Sequence, residues 1–209
     1  MKSQLQIAKN LAISLIIVFF NNSCNSLDPE VEISNNNHNK INSRKIVLFP
    51  TSAGQKDEYN EDTKKVHSNI VTNLKKINGL DEVAYGGIEI RKIADSISKT
   101  LYHKITLDLL SNSENSLLKN NTTFKIFLKK INKKFGNYNL MITNISGDQD
   151  SFFNNKEIVL IIGLYDINKF SWIYKVKASY NRSKINNWPL ILDILSSEGV
   201  NAISVYHKS

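Results

Sequence analysis

Cysteine is nearly absent: Cys24 is the only one in 209 residues, so no disulfide can form within one chain and no thiolate cluster can hold a metal. Arginine is scarce as well. Of 27 basic residues only Arg44, Arg91 and Arg182 carry a guanidinium, the fork on which readout of guanine and phosphate depends, and no nucleic-acid partner is expected. The abundance of lysine, asparagine and isoleucine has the look of codon bias in an A+T-rich genome. Signatures of catalysis are missing too. There is no Gly-x-Ser-x-Gly elbow, no Gly-x-x-x-x-Gly-Lys loop and no Gly-x-Gly-x-x-Gly run, so neither a hydrolase nucleophile nor a phosphate cradle is announced. His38, His67, His103 and His207 show no paired spacing and read as surface histidines. The expectation is a protein with no metal, no cofactor and no enzymatic activity.

What is present begins at the amino terminus. Lys2 and Lys9 precede the uncharged apolar run Leu11 to Phe20, the order of parts in an export signal. Ten helical residues rise only about 15 Å, half of a bilayer core of about 30 Å, so the run does not span. In Phe20-Asn21-Asn22-Ser23-Cys24 a small residue stands directly before the cysteine, and Asn21 occupies the position where leucine is usual. The segment resembles a bacterial lipoprotein signal, which implies cleavage before Cys24 and acylation of its thiol and new amino group. More than one acyl chain is what stable anchoring requires. Two other readings compete: an ordinary signal peptide cut nearby, and an incidental cysteine in an uncleaved anchor. No aspartate follows Cys24, and in enteric-type sorting that directs a lipoprotein to the outer membrane.

Three stretches follow from composition. Residues 1–23 are the signal peptide. Residues 24–44, with Asp28-Pro29-Glu30, Ser34-Asn35-Asn36-Asn37-His38-Asn39 and Asn42-Ser43, have too little apolar surface to offset ordering entropy and read as a disordered polar tether. Residues 45–209 are long enough for one domain with a real core. Loss of Lys2 and Lys9 leaves 25 basic against 19 acidic residues, a formal charge of +6.

Lys45-Ile46-Val47-Leu48-Phe49-Pro50 reads as a buried strand. Asn60 is a candidate N-cap for a helix carrying Val66, Ile70, Leu74 and Ile77, ended by Asn78-Gly79. Leu80 to Tyr85 is a short strand. Ile90, Ile93, Ala94, Ile97, Leu101, Ile105 and Leu109 predict one long helix, and Phe124, Phe127, Leu128, Ile131 and Phe135 a second, stopped at Gly136. Tyr138 to Ser146, Ile158 to Tyr165 and Trp172 to Tyr180 are strands, the last two joined as a hairpin by Asp166-Ile167-Asn168-Lys169. A helix from Trp188 to Leu195 and a closing strand or tail from Ala202 to Tyr206 complete the order β-α-β-α-α-β-β-β-α, an α/β domain with helices packed on a mixed sheet. With Val47-Leu48-Phe49-Pro50, Gly147 after its strand, and Leu164-Tyr165-Asp166 ahead of Trp172, this order resembles the α/β domain of the TolB amino-terminal domain, the curli secretion channel protein and related outer-membrane lipoproteins. The resemblance implies a role in assembling or supporting envelope machinery, and carries no binding residue.

The sharpest surface feature is Lys125, Lys129, Lys130, Lys133 and Lys134, on the helix side away from its phenylalanines, in a stretch with no acidic residue between Glu114 and Asp148. A basic amphipathic helix can rest on an anionic membrane; a solvated face in a lysine-rich protein is the plainer reading. Gly86-Gly87 before a helix can cradle an anion or simply turn, and Asp148, Gln149 and Asp150 can hold calcium loosely or simply be solvated. The expected protein is a membrane-anchored lipoprotein with an envelope protein as partner. Its competitor is a periplasmic ligand-binding protein or enzyme with a site built from Thr51 to Tyr59 and Gly147 to Asn155.

Overall fold

Ile46, Val47, Leu48 and Phe49 are all fully buried, which a strand permits only where both faces of its sheet are covered. The computed structural model, which describes residues 29–35, 45–53, 61–78, 80, 82–111, 116, 118–146, 157–181 and 187–207, places that strand accordingly. The elements are β1 (Glu30–Asn35), β2 (Lys45–Leu48), β3 (Ser52–Ala53), α1 (Glu61–Leu74), β4 (Glu82–Tyr85), α2 (Gly87–Ile97), α3 (Leu101–Leu110), α4 (Thr122–Phe135), β5 (Asn139–Ser146), β6 (Glu157–Asp166), β7 (Ser171–Asn181) and α5 (Trp188–His207). The strands form one open mixed sheet in the order β1-β7-β6-β5-β2-β4, with β3 also beside β5. β2 runs parallel to β4 and β5, whereas β6, β7 and β1 join by antiparallel pairing.

Alternation along each strand divides the core in two. Ile46, Leu48, Met141, Ile162 and Val176 meet Val66, Ile70 and Leu74 of α1 and Ile191, Leu192 and Leu195 of α5. On the opposite face Val47, Phe49, Leu140, Ile142 and Tyr165 meet Ile90 of α2, Leu101 and Ile105 of α3, and Phe124, Phe127 and Ile131 of α4. The architecture is therefore three layers, helices on both faces of a sheet. Each such fully buried aliphatic or aromatic side chain is worth about 1.5–3 kcal/mol of transfer free energy, and both faces draw on β2 and β5, which makes those strands the centre of the fold.

Local chemistry fixes several boundaries, and Gly136 and the Asp166 turn fall where the sequence placed them. Asn121 caps α4 by accepting from the Phe124 N–H at 3.0 Å, and Gly136 ends that helix at φ +83°, a conformation that favours glycine. In the β6–β7 hairpin Asp166 Oδ1 accepts from the N–H groups of Asn168 at 2.8 Å and Lys169 at 3.0 Å, the local side-chain closure that makes aspartate a turn residue.

Three expectations are corrected. The tether read over 24–44 is not wholly a tether: Glu30–Asn35 forms β1, antiparallel to β7, with Val31 opposite Ala178 and Ile33 opposite Val176. Val31 packs on the α1/α5 side of the core while Glu30, Glu32 and Ser34 stay exposed, so an alternation too brief to stand out among asparagines was enough to make an edge strand. The long helix through Ile90 and Leu109 is two. Ser98 leaves the helical region at φ −160° and ψ 129°, and its hydroxyl accepts from the Thr100 N–H at 3.4 Å, the competition by which serine and threonine interrupt helices; both halves still send their apolar stripe into one core. Finally, α5 runs unbroken to His207, so Ala202 to Tyr206 is helix rather than closing strand. Gly199, within it, lets the backbone approach β6 closely: a Cβ there would stand 3.0 Å from Ile162 Cδ1.

Candidate functional site

The C-terminal ends of parallel strands are where α/β sheets commonly meet ligands, and here they gather buried polar side chains. Thr51, Ser52, Thr143 and Asn144, at the ends of β2, β3 and β5, are at most 2% exposed. Thr51 Oγ1 and Thr143 Oγ1 lie 2.7 Å apart, and Asn144 Nδ2 donates to Ser52 Oγ at 2.8 Å. α1 adds His67, 4% exposed, whose Nδ1 stands 3.5 Å from Thr51 Oγ1 and whose ring lies 4.6 Å from that of Tyr85 at the end of β4. Burial lowers the His67 pKa to about 4, against a smaller opposing effect of the Phe49 backbone, so the imidazole is neutral near pH 7. Its Nε2 has no hydrogen-bond partner among the described residues.

His67 thus is not the surface histidine expected. Its position continues the apolar spacing of α1 backwards, since Thr63, His67, Ile70 and Leu74 are all buried at steps of four, three and four, and that periodicity was the available signal. Chemically the cluster is neutral and hydrogen-bonding. Among the described residues it offers no carboxylate hydrogen-bonded to the imidazole, and no three of His, Cys, Asp and Glu gather as a metal site would require.

A second buried polar group lies on the other face. Asp108 of α3, 2% exposed, accepts at Oδ2 from Ser116 Oγ at 2.7 Å and from Trp172 Nε1 at 3.1 Å. Lys175 Nζ donates to the carbonyls of Asp108 at 3.0 Å and Ser111 at 2.8 Å, and stands 5.0 Å over the Trp172 ring. Burial holds the Lys175 pKa below the usual lysine range, and the Asp108 charge partly restores it. These bonds tie the end of α3 to β7. Asp108 Oδ2, Trp172 Nε1, Ser116 Oγ and Lys175 Nζ are thus all engaged by protein groups, the arrangement of a structural clasp.

The lysines of α4 fall as the sequence predicts. Lys125, Lys129, Lys130, Lys133 and Lys134 are all exposed, opposite the buried Phe124, Phe127, Leu128 and Ile131. Lys134 pairs with Glu89 of α2, whose carboxyl this neighbour holds below the usual range, and Lys125 Nζ stands 5.8 Å over the Phe170 ring. Gly86 and Gly87 do open α2, with Gly87 at φ +45°. His103 is half-buried on α3 and His207 belongs to α5. Cys24, His38, Asp148, Gln149 and Asp150 lie outside the described residues, as does most of each loop expected to build a ligand site; Thr51 to Ala53 are the described part, and they are buried. No helix among the described residues is long and apolar enough to cross a membrane.

No protein-family model and no curated protein matches the chain. Among solved structures it is similar to the PelC dodecamer of Paraburkholderia phytofirmans, covering 84% of this chain and 97% of that one at 7% identity and a TM-score of 0.48. It is similar also to the C-terminal domain of LpoB from Escherichia coli, covering 68% of this chain and 87% of that one at 12% identity and a TM-score of 0.36. Likeness at these identities concerns the path of the chain and transfers no residue of either protein to this one.

Proposed function

We propose that the protein is an exported bacterial lipoprotein, anchored through Cys24 in the outer membrane, whose α/β domain acts by binding or scaffolding in the cell envelope and not by catalysis. The observation that carries this reading is the placement of the single cysteine, directly after Ser23 and four residues beyond the apolar run Leu11 to Phe20. A thiol used for lipid attachment gains from being the sole one, because no mispairing competes with it. The resemblance to the TolB and curli secretion channel group points the same way. The open sheet supports scaffolding: β1 and β4 stand at its edges, and a sheet edge is a template for an extended segment of a partner.

The test is mass spectrometry of the mature amino-terminal peptide from protein recovered out of membranes, beside a Cys24→Ala variant. A lipid-modified peptide starting at Cys24, with the variant soluble or unprocessed, is the expected result. An unmodified start elsewhere would overturn the anchor.

The second reading, a periplasmic ligand-binding protein, is favoured by one observation. His67 Nε2 is a buried polar atom without a partner among the described residues, beside the ends of β2, β4 and β5. A small hydrogen-bonding ligand seated there would protect His67 from exchange and from modification, while a scaffold would leave both unchanged on addition of small molecules.

A further inference from the structure

The outer face of α4 is not uniformly polar. Ile126 is 45% exposed, and at 3.6 residues per turn Lys133 stands about 20° from it around the helix, Lys130 about 40° and Lys129 about 60°. The isoleucine therefore sits in the middle of the lysine face, not at its border with the buried Phe124 and Phe127. Lys129, Lys130 and Lys133, its immediate neighbours, make no ion pair among the described residues, and the acidic side chain recorded against the face, Glu89, is engaged by Lys134 at its flank. A β-branched side chain at an exposed helix position adds nothing to helix propensity. Placed among lysines it has the chemistry of an interfacial helix, an apolar group reaching the acyl boundary while lysine stems cover apolar surface and their ammonium groups stay at the phosphates.

We propose that this face docks on an anionic phospholipid leaflet, with Ile126 inserted between headgroups and Lys129, Lys130 and Lys133 at the lipid phosphates. The proposal deepens the membrane-anchored reading and rests on it for its setting. Each lysine near an anionic surface contributes about fivefold in affinity, so the three together contribute about a hundredfold, and the attraction is screened by salt.

The experiment uses the chain from residue 24 on with Cys24→Ser, which keeps every described residue and removes the lipid, so that binding reports the protein surface alone. It is sedimented with vesicles of phosphatidylglycerol and phosphatidylcholine, and with phosphatidylcholine alone, at low and high salt. Wild type should bind the anionic vesicles and be released by salt. The triple variant Lys129→Gln, Lys130→Gln, Lys133→Gln should lose about a hundredfold, Ile126→Ser severalfold, and the equally charged control Lys75→Gln, Lys99→Gln, Lys104→Gln less than about threefold. Ile126→Trp should shift its emission to the blue on anionic vesicles only. All these positions are exposed, so an unchanged circular dichroism spectrum is expected throughout.

Equal losses in the patch and control variants would reduce the effect to net charge and overturn the proposal. So would absence of wild-type vesicle binding, or an Ile126→Trp emission that does not move. Capture of soluble polyphosphate without capture of vesicles would assign the face to a polyanion instead. An unmodified Cys24 in the mass spectrum, together with intact vesicle binding here, would refute the anchor and leave this surface standing.

Discussion

A neutral imidazole held inside the fold should make the protein acid-sensitive in a defined window, and His67 should set that window. Its pKa is about 4 in the folded protein against 6.5 for an ordinary histidine. As pH falls below about 6.5 the unfolded chain takes up a proton that the folded one resists, so stability declines until about pH 4, where the folded imidazole also charges. The gap is worth at most about 3 kcal/mol at about 1.36 kcal/mol per pH unit, with a slope near pH 5 of about 1 kcal/mol per unit. That is a large share of the 5–15 kcal/mol, roughly, that a domain of this size possesses. Carboxylates titrate in the lower part of the same range, so the measurement is a difference: urea unfolding of wild type and His67→Gln at a series of values between about pH 4 and 7. Glutamine removes the titration and keeps a polar side chain near Thr51. The two stability curves should diverge from neutral pH, wild type falling more steeply toward acid. Parallel curves would refute the burial argument, whatever the offset between them.

The Asp108 clasp gives a second prediction. Asp108→Leu strands the Trp172 N–H and the Ser116 hydroxyl, both buried, and should cost about 2–4 kcal/mol in chemical denaturation, with Asp108→Asn intermediate because one acceptor oxygen remains; a loss under about 0.5 kcal/mol for leucine would show that the clasp is incidental. Asn121→Ala removes the α4 cap and should lower stability by about 1 kcal/mol, and Asn121→Ser should restore most of it; equal loss in both variants would mean that the capping bond is not what Asn121 contributes.

Periodicity carried most of the fold. β5, β6, β7 and α4 were legible because their patterns are long and because Gly136 and Asp166, residues whose chemistry acts locally, mark ends among them; the Asn121 cap of α4 emerges from the structure. Where the sequence misled, a short local pattern met a distant partner. β1 exists because β7 offers Ala178 and Val176 to Val31 and Ile33, and nothing within residues 30–35 announces β7. α5 continues past Gly199, where an added Cβ would stand 3.0 Å from Ile162 Cδ1 of β6, a contact across elements that helical spacing does not announce. The candidate surface divides in the same way. The lysines of α4 could be placed from helical spacing alone, while the exposure of Ile126 among them is seen only in the folded structure. His67 and Asp108 are polar residues standing within apolar stripes, and periodicity read by hydrophobicity skips them, although their spacing is as regular as that of their neighbours.

The presence of β1 changes what an anchor at Cys24 would do. A free tether from Cys24 to Arg44 could reach about 70 Å, whereas Glu30, the first residue paired with β7, stands only six positions after Cys24, a span of at most about 20 Å at about 3.5 Å per residue. A lipid at Cys24 would then hold the sheet edge close to the leaflet instead of letting the domain roam above it. Short linkers of this kind give effective concentrations in the millimolar range, so a lysine face of modest intrinsic affinity would remain engaged in the anchored protein. The same face freed from its lipid would bind weakly and only at low salt, because the exposed charges are screened within a Debye length of about 8 Å at physiological ionic strength. With both in place, anchor and surface would form one bivalent attachment. In that attachment the lipid would supply the residence time, and the lysine face with Ile126 would select the orientation of the domain on the leaflet.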